Sequence, residues 1–175
     1  MSTAMDPHAV TEDVTFDGGT PAEQRAVLAA FRTFWTANNT FDIPLLETIW
    51  GSDPDDVYFN SNGHNYHGVE EWKEVWRYYG PRFVTTVEAQ LSRVRVLIRD
   101  GLAVVSDEGV RREWEAHDVD TNSTTVAATP RVRGTVVLTK TGAGAGSSGA
   151  GSEWRVVHAH FSPRRSGPRV ATDRQ

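Results

Sequence analysis

The chain has 175 residues, a formal net charge of -5 and no cysteine. This length suits one domain with a sizeable core, and the acidic balance argues against nucleic acid or an anionic membrane as a partner. The lack of cysteine excludes disulfides and thiolate chemistry. No apolar run approaches the roughly 20 residues that span a bilayer, and the N-terminus lacks the pattern of a secretory signal. We therefore expect a cytoplasmic protein.

The first 19 residues are polar and lack periodicity, which predicts a disordered N-terminal arm. Order is predicted to begin at Thr20, because Thr20, Pro21 and Glu23 have the sequence of a helix N-cap with a capping box. The apolar spacing that follows predicts a helix to about Asn39 and a second, shorter helix between Asp42 and Gly51. We expect a folded domain over residues 20–163 and a disordered tail over residues 164–175.

A short hairpin and a third helix are predicted next. The segment 57–60 has strand character, and Asn62-Gly63 is a common two-residue hairpin turn. Apolar residues at helical spacing then predict a helix over residues 69–79, which Gly80-Pro81 ends.

The apolar period changes to two after the third helix. Strands are predicted over residues 83–99, 102–115, 131–140 and 154–162, with a polar loop over 117–129 and a flexible glycine-rich connection over 142–152. Grouped helices before long antiparallel strands indicate an α+β domain, with the helices packed on one face of a bent sheet.

Three segments carry a likeness to a known superfamily: residues 26–50, residues 62–72 from Asn-Gly-His to Glu-Glu-Trp, and Arg-Gly-Thr-Val-Val-Leu at 133–138 followed by residues 154–162. Together they resemble the nuclear transport factor 2-like superfamily, and within it the SnoaL-like (polyketide cyclase-like) proteins. The last segment is also similar to the end of the association domain of calcium/calmodulin-dependent kinase II.

The resemblance implies a cone-shaped fold, in which three N-terminal helices pack on a strongly curved, mostly antiparallel sheet around a deep pocket. It also implies a homodimer that pairs through the sheet. The superfamily includes ketosteroid isomerase, scytalone dehydratase, limonene epoxide hydrolase, polyketide cyclases and non-enzymatic assembly domains. The fold therefore does not by itself select an activity.

Two histidines stand out on the last predicted strand. Regular alternation would place His158 and His160 on the same face as Trp154 and Val156. If that face lines the pocket, either histidine is a candidate general acid or base near neutral pH. Histidines two residues apart are also common without a metal, so we expect no metal site from this pair with His64, and no cofactor.

A carboxylate beside those histidines would complete an acid/base pair. On the strand 102–115, one parity turns Glu108 inward, and the opposite parity turns Asp107 and Arg111 inward instead. A β-bulge could also switch the parity partway along the strand. Glu108 and Asp107 are therefore alternative catalytic candidates.

Side chains of several kinds are candidates for substrate binding. Tyr58 and Asn60 share a face of the first short strand and could orient a carbonyl or hydroxyl group. That strand lacks the carboxylate that isomerase-type relatives carry, which argues against an isomerase-type proton shuttle. Arg133 is either an anion clamp or a surface charge. Aromatic side chains that pack between helices and sheet should also rim the pocket, namely Trp35, Trp50 and Trp76.

Two functions follow from these observations. The first is binding of a small apolar organic molecule, with cofactor-free acid/base chemistry such as isomerisation, cyclisation, dehydration or hydrolysis. The second is a non-catalytic ligand-binding or dimerisation module of the same fold.

Overall fold

A computed structural model describes residues 13–118, 120–127, 131–141 and 153–164. Its helices are α1 (Pro21–Thr40), α2 (Ile43–Glu47) and α3 (Gly68–Tyr79), the last followed by a 3-10 turn at Gly80–Arg82. Its strands are β1 (Val14–Asp17), β2 (Val57–Phe59), β3 (Asn65–His67), β4 (Phe83–Gln90), β5 (Val94–Arg99), β6 (Leu102–Asp118), β7 (Ser123–Ala127), β8 (Val132–Lys140) and β9 (Trp154–Pro163). The glycine-rich connection and nearly all of the predicted C-terminal tail lie outside the described residues.

Helix α1 begins where its sequence predicts. The Thr20 hydroxyl accepts a hydrogen bond from the Glu23 backbone N–H, and the Glu23 carboxylate accepts one from the Thr20 backbone N–H at 2.9 Å. This reciprocal capping box satisfies donors that the first helical turn leaves without partners. At the other end, Phe41 adopts a left-handed conformation with φ 55° and its N–H bonds to the Ala37 carbonyl, which ends the helix.

The strands of the described residues form one mixed sheet in the order β1-β5-β6-β8-β9-β2-β3, with β4 and β7 also paired to β6. The pairs β1–β5 and β2–β9 are parallel and the other strand pairs are antiparallel. The α+β class and the mostly antiparallel sheet predicted from the sequence are therefore confirmed. The three helices are not all N-terminal to the sheet, since α3 follows β1, β2 and β3.

Two of the differences between the predicted and the observed strands are explained by β6. Residues 83–99 form two strands because β4 pairs with the second half of β6 and β5 with its first half. Strand β6 also continues to Asp118 and pairs with β7. Much of the predicted polar loop over 117–129 is therefore a hairpin.

Strand β1 lies within the region that the sequence predicts to be a disordered arm. It pairs in parallel with β5, and the Val94 N–H donates to the Asp13 carbonyl at 2.8 Å. Asp17 also forms ion pairs with Arg99 at 2.7 Å and Arg95 at 3.6 Å. The order of residues 14–17 thus comes from pairing with a distant strand, which the local composition does not reveal.

A β-bulge interrupts β6 where its pairing with β8 shifts between Asp107 and Val110. Ala103 and Val105 are buried before the shift and Val110 after it, so the inward parity changes from odd to even residues. The Asp107 carboxylate accepts from the Gly109 N–H at 2.6 Å and the Ser92 N–H at 3.1 Å. Of the alternatives that the sequence leaves open, the bulge is the correct one.

A second bulge lies in β9, where β8 pairs Val137 with His158 but Leu138 with Val156. Trp154 and Val156 are buried before the extra residue, whereas Ala159 and Phe161 are buried after it. The predicted regular alternation is therefore wrong, because the bulge moves the histidines to the face opposite Trp154 and Val156.

Aromatic rings join the helices to the sheet. Phe34 of α1 stacks on Trp50 with 5.4 Å between ring centroids, and Trp50 stacks on Trp72 of α3 at 5.3 Å. Both tryptophans and Phe34 are almost fully buried, so each contributes a large apolar area to the core. Within the described part of the chain, no helix is long and apolar enough to cross a membrane.

Candidate functional site

A cavity of about 200 Å³ lies where α1 and α3 meet the sheet. Its wall comes from both helices, from the turn between β2 and β3, and from β6 and β9. The lining side chains are mostly aromatic or polar: Trp35, Asn38, Phe41, Asn60, Ser61, Asn62, Trp72, Val75, Trp76, Tyr79, Phe83, Arg112, Trp114 and Phe161.

The aromatic part of the wall is held by ring-to-ring contacts. Trp35 of α1 meets Phe161 of β9 edge-on, with 5.3 Å between centroids. Across the cavity, Trp114 of β6 contacts Phe41 at 5.3 Å and Phe83 at 5.4 Å. Aromatic rings held by several neighbours form a preorganised apolar surface, as small-molecule sites require.

Arg112 supplies the charge of this wall. The β6 bulge turns residues 110, 112 and 114 to the inner face, and the Arg112 Cζ lies 4.5 Å from the centroid of the Trp114 ring. It lies 5.5 Å from the centroid of the Trp35 ring. Burial lowers the pKa of Arg112 to about 10, so the guanidinium remains protonated at neutral pH.

Polar groups of two further elements reach the cavity. The β2–β3 turn contributes Asn60, Ser61 and Asn62, and the Asn62 side chain fixes its own turn by donating to the Tyr66 hydroxyl at 2.8 Å. On the lining residues Trp35 and Trp72, the indole Nε1 atoms are buried and have no hydrogen-bond partner among the residues that the structure describes. A buried donor without a partner costs about 1–3 kcal/mol.

Five of the side chains predicted to bind substrate are now placed. Trp35, Asn60 and Trp76 line the cavity. Trp50 and Tyr58 instead belong to the core, with 4.2 Å between their ring centroids.

The buried Tyr58 hydroxyl donates to the Asp56 carboxylate at 3.3 Å. Burial raises the pKa of both side chains. Tyr58 therefore holds a structural hydrogen bond beneath the cavity wall.

The predicted catalytic histidines lie on the outer face of the sheet. Their rings meet Phe59 edge-on, His158 at 5.2 Å and His160 at 5.5 Å between centroids. The His158 Nδ1 lies 2.6 Å from the Val57 carbonyl oxygen, to which it donates. The structure does not bring either histidine to the cavity.

The predicted carboxylates do not line the cavity either. Asp107 is 2% exposed and holds the β6 bulge, whereas Glu108 is exposed and forms an ion pair with Arg93 at 3.4 Å. Arg133 donates to the Ser162 hydroxyl at 2.8 Å. Arg133, Glu108 and His160 all lie along one groove of the outer face.

Sequence reasoning missed Arg112 and Trp114 as site residues. Their spacing of two on a predicted strand was a usable signal, since it places an arginine and a tryptophan on one face. The signal was hidden because the bulge at Asp107 decides which face is inward. In the described part of the chain, no three His, Asp or Glu side chains are grouped so that they could hold a metal ion.

Several solved structures have a similar fold. A nuclear transport factor 2-like superfamily protein from Salmonella enterica is 16% identical, with a TM-score of 0.58 over 85% of this chain and 96% of that one. An NTF2-like protein from Cytophaga hutchinsonii is 15% identical, with a TM-score of 0.58 over 81% and 98%. A CaMKII hub from S. rosetta is 21% identical, with a TM-score of 0.56 over 85% and 100%. At these identities the likeness shows the fold alone.

No curated protein matches the chain. The family model of the SnoaL-like domain matches residues 27–166, which is most of the chain and includes every residue that lines the cavity. This protein therefore belongs to the SnoaL-like domain family, and it has the fold of nuclear transport factor 2-like proteins.

Proposed function

We propose that this protein binds a small organic molecule in the cavity between α1, α3 and the sheet. The observation that carries the proposal is a volume of about 200 Å³ walled by tryptophan and phenylalanine rings. An engineered apolar cavity of about 150 Å³ binds benzene. A molecule with one ring, or a short aliphatic chain, and a small polar substituent is therefore the right size.

The chemistry of the wall favours binding over acid/base catalysis. Among the described residues that line the cavity there is no His, Asp, Glu or Lys, and these side chains supply most general acids and bases. His158 and His160 face the other side of the sheet, as described above. A non-catalytic binding protein is therefore our first proposal, ahead of a cofactor-free isomerase, cyclase, dehydratase or hydrolase.

A cavity-filling substitution tests this proposal. Val75 lines the cavity from α3, so Val75→Trp should place an indole in the space that a bound molecule needs. Val84→Trp is the matched control, because Val84 is 58% exposed on β4 and does not line the cavity. We expect wild type and the control to be stabilised against thermal unfolding by members of a library of one-ring organic compounds.

The Val75→Trp variant should fold and lose that stabilisation. If no member of the library stabilises the wild type, the proposal fails. It also fails if every stabilising compound acts equally on the Val75→Trp variant, because the compounds would then bind elsewhere.

A second function, assembly of two copies through the outer face of the sheet, is favoured by a separate observation. Phe59 is 37% exposed there between the rings of His158 and His160. The neighbouring groove contains both Arg133 and Glu108. Opposite charges on one surface suit a two-fold interface, in which each copy offers the same patch.

The Phe59→Glu variant tests the dimer. Phe16→Glu is its control, since Phe16 is 38% exposed on β1 at the opposite end of the sheet. We expect light scattering to give a dimer for wild type and the control, and a monomer for Phe59→Glu. A wild-type monomer at high micromolar concentration contradicts this second proposal and leaves the first unaffected.

A further inference from the structure

The charge in the cavity wall narrows the class of molecule that it would hold. We infer that the cavity binds a small organic anion, an inference that rests on the proposed function. The carboxylate of the anion would contact the Arg112 guanidinium, and its apolar part would pack against the tryptophan and phenylalanine rings. Arg112 is the one charged side chain among the described lining residues.

The position of the guanidinium suits recognition of a carboxylate. Its Cζ lies 4.5 Å from the centroid of the Trp114 ring, so one face of the group rests on an aromatic wall. A guanidinium in this setting keeps its N–H donors in its own plane, where they can form two parallel hydrogen bonds to a carboxylate. The aromatic contact also reduces the conformational freedom that binding would otherwise remove.

The environment of Arg112 differs from that of its neighbour on β6, which favours a role in binding over a role in packing alone. Strand β6 contains another arginine, Arg111, which is exposed and pairs with Glu113. Arg112 instead has its Nε fully buried and lies among rings. Arg112 lines the cavity and Arg111 does not, so the charge of Arg112 is the one that would attract an anion bound there.

The volume limits the size of the anion. About 200 Å³ accommodates one ring with a carboxylate, or a short-chain fatty acid. The nearby side chains of Asn60, Ser61 and Asn62 give a second polar area for a hydroxyl or carbonyl substituent.

Matched acids and amides test the inference without any variant. Benzoate and phenylacetate are compared with benzamide and phenylacetamide, which have the same shape and no charge. Calorimetry on the wild type should give at least roughly tenfold tighter binding for each acid, the effect expected of charged hydrogen bonds over neutral ones. Equal affinity, or tighter binding of the amides, overturns the anion inference and leaves small-molecule binding intact. If neither acids nor amides bind, the anion inference fails, and the library of one-ring compounds decides the proposed function separately.

Two variants then locate the effect. Arg112→Gln should bind benzoate and benzamide with nearly equal affinity. Arg112→Lys should retain part of the preference for acids, because lysine keeps the positive charge but lacks the paired N–H donors of the guanidinium. Arg111→Gln is the matched control and should behave as wild type, since Arg111 lies one residue away on the outer face. A preference for acids that survives in Arg112→Gln overturns the assignment to Arg112.

Discussion

The β6 bulge decides which side chains reach the cavity, and Asp107 holds that bulge. Its 2% exposed carboxylate accepts hydrogen bonds from the Gly109 and Ser92 N–H groups. The Asp107→Ala substitution removes both bonds and leaves two donors beside a buried position. Hydrogen bonds to a charged group contribute about 1.5–3 kcal/mol each, so the free energy of unfolding should fall by about 3 kcal/mol or more.

Thermal and urea unfolding measure this loss directly. For a domain of this size, 1 kcal/mol corresponds to about 2–4 °C in Tm, so Asp107→Ala should lower Tm by about 6–12 °C. Glu108→Ala is the control, because Glu108 is an exposed neighbour whose ion pair with Arg93 contributes about 0–1 kcal/mol. Asp107→Asn keeps one acceptor oxygen and should fall between the two. If Asp107→Ala and Glu108→Ala unfold at the same temperature, the bulge is not held as we describe.

Two further predictions concern the cavity wall and the core beneath it. A methyl group on Gly134 would meet the Phe161 ring at 3.1 Å and Trp35 at 3.5 Å, so Gly134→Ala should lower the free energy of unfolding by about 1–3 kcal/mol in urea. Gly109→Ala should lower it less, because its methyl meets the movable end of Arg164, and the reverse order would contradict the packing. Burial raises the pKa of the Asp56 carboxyl group above its ordinary value of 3.8. The contribution of Asp56 to stability is therefore present below that ordinary value and is lost as pH rises through the folded-state pKa. Asp56→Asn cannot ionise and does not lose stability in this way, so its free energy of unfolding relative to wild type should increase from pH 4 to pH 7 in urea titrations. If that difference stays constant or falls with pH, Asp56 is not buried as described.

Local signals predicted much of the fold. The capping box of Thr20 and Glu23, the hairpin around Asn62-Gly63 and the spacing of α3 depend on residues close together in sequence, and each is found in the structure. The hairpin differs in one detail: residues 60–64 connect β2 to β3, with a turn closed by the Gly63 N–H on the Asn60 carbonyl, in place of the two-residue turn that was predicted. The resemblance to SnoaL-like proteins also gave the correct family.

The site was less predictable because it depends on contacts between distant residues. The β6 bulge needs the Ser92 backbone beside Asp107, and the β9 bulge at Val157 has no unusual residue that marks it. A shift of one residue exchanges the two faces of a strand. For that reason the prediction selected His158 and His160, while the structure placed Phe161, Arg112 and Trp114 at the cavity.

Nuclear magnetic resonance of the tryptophan indole N–H groups tests the central claim most directly, because the six tryptophans report on different parts of the molecule. During titration with benzoate and with benzamide, we predict saturable shifts of the Trp35, Trp72 and Trp114 resonances, which belong to the cavity wall. The resonance of Trp154, which does not line the cavity, should stay in place. Unchanged cavity resonances with both compounds, or shifts confined to Trp154, would contradict a binding site between α1, α3 and the sheet.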